Sequence, residues 1–179
     1  MQFLAISGSL RAASANSSLL RAAAILAPED VTIKFYEELG GLPHFNPDMD
    51  NAPPPNSISR FRQQLRSADG VIISTPEYAH GVPGALKNAL DWLVASGELY
   101  EKPVALFSAS PRANYAHASL AETLNVMTAR IVSEACIVLP LIGKNLDKYG
   151  IISEPDISRK IRSALIAFAQ ATSLQEQQR

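Results

Sequence analysis

The chain has 179 residues, 47% hydrophobic and 18% charged, which suits a single globular domain spanning 1–179 and excludes disorder. Its formal net charge of −1 gives no electrostatic reason to expect nucleic acid or an anionic membrane as partner. One cysteine, Cys136, cannot staple the chain internally, which fits a reducing cytosol.

An apolar run from Phe3 to Ile6 predicts a buried strand, because apolar residues stand in a row without polar alternation. Opening on a strand, with no charged segment ahead of a long apolar core, the chain shows no secretory signal and is expected in the cytoplasm. Ser7, Ser9, Ser14, Asn16, Ser17 and Ser18 crowd the following loop, where Arg11 is the one charge, and a helix is expected near Ser17 to Leu26. Val31 to Tyr36 predicts a second strand. Glu37 to Asn56 is a long loop with five prolines, either functional or wrapped over the surface. A helix near Ser57 to Arg66 precedes a third strand, Val71 to Ser74. Then come a helix from Pro83 to Val94, a fourth strand from Val104 to Ser108, and a helix near Ala118 to Met127. Ile131 to Leu139 contains a fifth strand, and Cys136 within this apolar stretch reads as a core thiol. The last helix runs from Pro155 to about Ala171, opened by Glu154-Pro155-Asp156. No apolar run is long enough to span a bilayer.

Strands alternating with helices predict a three-layer α/β sandwich around a five-stranded parallel sheet. Right-handed crossovers lead to the strand order 2-1-3-4-5, the flavodoxin-like architecture. In such sheets ligands sit beyond the carboxyl ends of the strands, beside the switch point between strands 1 and 3.

The loop after the first strand aims backbone N–H groups, hydroxyls and the positive end of a helix dipole at one point, and Arg11 can add a bidentate phosphate contact. It lacks the G-x-G-x-x-G of dinucleotide sites, the lysine of a triphosphate loop, a cysteine nucleophile and a G-x-S-x-G elbow. Recognition of one phosphate monoester remains, as a flavin mononucleotide site would use. An ordinary Ser/Asn-rich turn with a helix cap is the other reading. After the third strand, Pro76, Gly81, Pro83 and Gly84 make a constrained turn whose backbone amides suit the edge of a planar heteroaromatic ring. Glu77 and Tyr78 read either as part of that site or as plain turn residues. His44, His80 and His117 show no metal-ligand spacing.

G-S-L-R-x-x-S-x-N together with P-E-Y-x-x-x-x-P-G-x-L-K-N-A-L-D-W-L closely resembles the NAD(P)H-dependent FMN reductase family, which includes bacterial quinone, azo-dye and chromate reductases. The motifs stand here as Gly8-Ser9-Leu10-Arg11, Ser14, Asn16, Pro76-Glu77-Tyr78 and Pro83 to Trp92. The resemblance implies FMN, with its phosphate at Ser9, Arg11, Asn16, Ser17 and Ser18 beside Ser14, and its isoalloxazine against Pro76, Glu77, Tyr78, Ala79, His80 and Gly81. It further implies NADPH or NADH as co-substrate and a small-molecule electron acceptor. Two departures stand out. Ala79 occupies the position of the family's Asn after P-E-Y, and the third loop carries Ser110, Pro111 and Arg112 where the family has paired glycines. Ser110 and Arg112 are nonetheless candidate cofactor-binding residues, Arg112 for the 2′-phosphate of NADPH with solvated surface as the alternative.

A reductase of this kind relies on positioning and on the flavin's electronics, so it needs no acid–base dyad. The rivals are a flavodoxin-fold electron carrier, a cofactor-free binding module, and a hydrolase built on Ser9. On the helix after Pro83, Leu86, Leu90 and Leu93 form one apolar stripe, and Ala85, Ala89 and Trp92 form a second, turned away from the first. A helix lying on a sheet needs one stripe. The second therefore predicts pairing with a symmetry mate in a homodimer or homotetramer, with the flavin sites near the seam.

Overall fold

The structure is a computed structural model that describes residues 1–50 and 53–176. Its sheet is built from β1 (Gln2–Ser7), β2 (Thr32–Tyr36), β3 (Gly70–Ser74), β4 (Pro103–Ser108), β5 (Arg130–Ile131) and β6 (Ile137–Val138). The order is β2-β1-β3-β4-β5, all parallel, with β6 also paired to β4. The flavodoxin-like order expected from the sequence is therefore the one observed.

Both faces of the central strands β1, β3 and β4 are apolar and buried, because alternate residues point to opposite sides and helices cover each side, whereas β2, β5 and β6 at the edges carry exposed residues. Phe3, Ala5, Ile72, Ala105 and Phe107 face α1 (Ala15–Leu26), α6 (Lys148–Ser153) and α7 (Pro155–Glu176). Leu4, Ile6, Val71, Ile73, Val104 and Leu106 face α3 (Asn56–Arg66), α4 (Gly84–Asp91) and α5 (Asn114–Val126). The short α2 (Pro47–Asp50) lies in the proline-rich segment.

The fifth strand is broken. β5 pairs with the start of β4 and β6 with its end, and a 3-10 turn, Ser133–Ala135, bulges between them. At the gap Cys136 Sγ accepts from Leu106 N–H at 3.3 Å and donates to the Val132 carbonyl at 3.4 Å. The thiol thus supplies the ladder bond that the bulge removes, and burial pushes its pKa up. α6 was absent from the expectation. Asp147 starts it by accepting from Gly150 N–H at 2.8 Å.

The second stripe on α4 is not a free face. Ala89 and Trp92 are buried, Trp92 completely, within this one chain. The proline-rich segment of the same chain packs against them. Trp92 Nε1 and Asn88 Nδ2 both donate to the Pro43 carbonyl at 2.9 Å. Asn88 Oδ1 accepts from Phe45 N–H at 2.7 Å, and the Phe45 ring meets Trp92 edge-on at 5.1 Å. Farther along, Asp50 pairs with the buried Arg62 at 2.8 Å, and Arg62 also donates to the Trp92 carbonyl. The long loop is therefore surface wrapping that completes the core, burying its own Leu39 and Leu42. The argument for a dimer from Trp92 falls with this finding.

Candidate functional site

Loops leaving the carboxyl ends of β1, β3 and β4 converge at one edge of the sheet. The first is braced from below. Ser17 Oγ bonds Ser7 Oγ at 2.9 Å, and Asn16 Oδ1 accepts from Ser74 Oγ at 2.9 Å, which ties α1 to the ends of β1 and β3. Ser14 caps α1 by accepting from Ser17 N–H at 3.4 Å. Gly8 is required by close approach: a Cβ there would stand 2.4 Å from Thr75 Oγ1, so only glycine lets the first loop seat against the second.

The second loop is a tight turn. Tyr78 and Gly81 exchange both backbone bonds, at 3.1 and 2.9 Å. Ala79 and His80 between them adopt φ of 48° and 61°, the left-handed region that costs a side-chain-bearing residue about 1–2 kcal/mol. Two contacts hold this turn against α5. The His80 ring stacks on Tyr115 at 4.2 Å and 15°, and Glu77 Oε2 accepts from Ala116 N–H at 2.9 Å. Ala113, the residue at the N-cap of α5, makes no side-chain cap bond, so Glu77 serves as that cap from another loop. Next to it, His117 Nε2 is buried without a partner, and burial pushes the imidazole below its ordinary pKa against the opposing pull of Glu77.

These loops enclose a cavity of about 780 Å³, within the range of cofactor sites. Ser9, Arg11, Ser14, Asn16 and Ser18 line it on the β1 side, Pro76, Glu77 and Tyr78 on the β3 side, and Ser110 and Arg112 on the β4 side. Ser17, Ala79, His80 and Gly81 are outside the lining: Ser17 is turned to Ser7, and the other three form the turn and its stack. Sequence reasoning missed the fourth wall, Leu141, Ile142, Gly143, Asn145, Leu146 and Asp147. Gly143 and Asn145, both at positive φ, mark a loop there, but its placement depends on α6 packing against α1. The donor set fits FMN: hydroxyls and a guanidinium surround a helix N-terminus with no acidic residue in its first turn, as a phosphate monoester requires.

Residues 1–141 match the NADPH-dependent FMN reductase family. An NAD(P)H-dependent FMN reductase of Pseudomonas aeruginosa is 39% identical over 112 residues, 62% of this chain and 60% of that protein. A quinone reductase of Pseudomonas putida is 42% identical over 111 residues, 59% of this chain and 58% of that protein. The matched stretch thus spans about six-tenths of the length of these relatives. Among solved structures, FerB, a flavoenzyme NAD(P)H:(acceptor) oxidoreductase from Paracoccus denitrificans, superposes with a TM-score of 0.84 at 25% identity, over 96% of this chain and 97% of that one. With most of its length matched by the family and its fold and loop chemistry agreeing, the chain belongs to the NADPH-dependent FMN reductase family.

Proposed function

We propose that this chain binds FMN in the cavity and uses NAD(P)H to reduce small acceptors of the quinone type, with azo compounds, chromate and free flavin as further acceptors. The observation that carries this reading is the convergence of a hydroxyl- and arginine-lined helix N-terminus with a rigid backbone turn, on either side of the β1–β3 switch point. In this reading Ser9, Arg11 and Ser18 bind the phosphate, while Asn16 and Ser14 fix the loop that presents them. The turn from Pro76 to Gly81 orients the ring system and offers backbone amides along its edge. FMN, when bound, supplies the hydride acceptor and donor, so the protein's part is binding, orientation and exclusion of water. In this reading NAD(P)H and the electron acceptor would enter the same cavity in turn.

The test is direct. Purified protein titrated with FMN quenches flavin fluorescence, and the loaded protein oxidises NADPH or NADH with a quinone, giving parallel initial-rate lines. Absence of flavin binding or of NAD(P)H oxidation overturns the reading. Intersecting lines, or a ternary complex with an inert nicotinamide analogue, overturn the alternate occupancy.

A further inference from the structure

The loop after β4 repeats the loop after β1. The chain reads Ser7-Gly8-Ser9-Leu10-Arg11 in one place and Ser108-Ala109-Ser110-Pro111-Arg112 in the other, with two serines and an arginine at the same spacing. In each, the first serine ends its strand. Ser7 Oγ accepts from Ser9 N–H at 3.3 Å and donates to the Ser9 carbonyl at 3.4 Å. Ser108 Oγ does the same for Ser110, at 3.3 and 2.8 Å. The second serine hydroxyl then accepts from the arginine N–H, at 3.4 Å from Arg11 and 3.1 Å from Arg112. Each loop runs into a long helix, α1 of 12 residues or α5 of 13. The loop after β3 lacks this arrangement, since Ser74 Oγ donates to Asn16 instead, so the repeat is not simply what a parallel strand imposes.

Arg11 and Arg112 line the same cavity, and neither guanidinium has a side-chain partner among the described residues. The two carboxylates of that lining are engaged elsewhere, Glu77 with Ala116 N–H and Asp147 with Gly150 N–H. The geometry points to the β4 loop as a second anion cradle, holding a phosphate of the incoming nicotinamide dinucleotide with Arg112 as its cation. This rests on the reductase reading above.

The two cradles differ in strength for a stated reason. The α1 N-terminus is capped by a hydroxyl and keeps its positive end open to a dianionic phosphate. The third amide of α5 is already taken by the Glu77 carboxylate, so the second cradle offers a guanidinium and a hydroxyl without a free helix end. The tighter cradle suits the resident cofactor, and the weaker one a co-substrate that leaves at every turnover. The phosphate has two sources, the 2′-phosphate of NADPH or the pyrophosphate common to NADPH and NADH.

The experiment uses wild type, Arg112→Ala, Arg112→Lys and Arg11→Ala. For each, FMN affinity is measured by fluorescence, KM and kcat for NADPH and NADH by steady-state kinetics, and affinity for 2′,5′-ADP and ADP-ribose by calorimetry with and without FMN. Arg112→Ala is expected to raise the dinucleotide KM about ten-fold while kcat and FMN affinity stay within about two-fold. Arg112→Lys regains part of the loss, and Arg11→Ala instead loses FMN. A loss confined to NADPH and 2′,5′-ADP identifies the 2′-phosphate; an equal loss for NADH and ADP-ribose identifies the pyrophosphate. Unchanged dinucleotide KM and 2′,5′-ADP affinity in Arg112→Ala, or FMN affinity falling in step with them, overturns the second cradle. A wild-type chain that binds no flavin overturns the reductase reading instead.

Discussion

Truncating Glu77 to alanine removes a helix cap and a loop tether in one step. Its carboxylate accepts from Ala116 N–H at 2.9 Å across 39 residues, and the helix has no side-chain cap of its own. Loss of an N-terminal cap costs about 0.5–2 kcal/mol, and loss of a negative charge at a helix N-terminus a further 0.3–1 kcal/mol. The expected destabilisation is about 1.5 kcal/mol, which lowers Tm by roughly 3–6 °C in a chain of this size. The turn from Tyr78 to Gly81 then keeps the His80–Tyr115 stack against α5. Ordering the loosened loop must be repaid on ligand binding, so FMN affinity is expected to fall about five- to ten-fold. Glu77→Gln keeps an oxygen acceptor and loses only the charge, and it is expected to retain most of both quantities. Thermal denaturation of the apoprotein and fluorescence titration with FMN read the two effects separately. Wild-type Tm and wild-type FMN affinity in Glu77→Ala would refute the tether.

Arg11→Ala should reduce FMN affinity by about an order of magnitude or more while circular dichroism stays native, because one charge-assisted contact is worth about 1.5–3 kcal/mol; unchanged affinity counts against the phosphate assignment. Ala79→Asn should stabilise the protein by about 0.5–1 kcal/mol in urea denaturation, since Ala79 sits at φ 48° and asparagine tolerates that region better; a loss of stability would show that the residue's surroundings outweigh its backbone. Burial holds the His117 imidazole below its ordinary pKa of 6.5, so the unfolded chain binds that proton more tightly than the folded one. Stability from this residue is complete above about pH 6.5 and falls as pH drops from there through the folded-state value; the acid side of a Tm–pH profile should flatten in His117→Gln, and an identical profile in both proteins refutes it.

The sheet was legible because buried parallel strands are written as local apolar runs, as in Phe3 to Ile6 and Val71 to Ser74. The hydroxyl-rich loop after β1 was legible for a similar reason: its serines and Arg11 are neighbours in sequence. What escaped depends on pairs far apart. The two stripes on α4 were read correctly as apolar, but only the fold reveals that Pro43 and Phe45 return to cover Trp92. Glu77 was placed in the site by its motif, whereas its hydrogen bond to α5 crosses from one loop to another and leaves no periodic trace. A fifth strand was legible within Ile131 to Leu139 from its apolar residues, but Ser133 and Glu134 interrupt that run where the bulge forms, and the bulge is tolerated because the Cys136 thiol accepts from the Leu106 N–H. The wall from Leu141 to Asp147 follows the same rule, since its place is set by α6 docking on α1.

Burial of Trp92 beneath the proline-rich segment gives the molecule a built-in optical reporter. It is the chain's only tryptophan, so intrinsic indole emission comes from one place. The indole is fully enclosed, donates to the Pro43 carbonyl and meets the Phe45 ring edge-on, so its emission should lie to the blue while that segment is docked. Undocking wets the indole and shifts the band to the red even if the sheet stays intact. Denaturation followed in parallel by tryptophan emission and by far-ultraviolet dichroism would therefore separate peeling of the wrap from melting of the core. Two coincident curves would mean that wrap and sheet form one cooperative unit; an earlier fluorescence transition would mean that the wrap opens first.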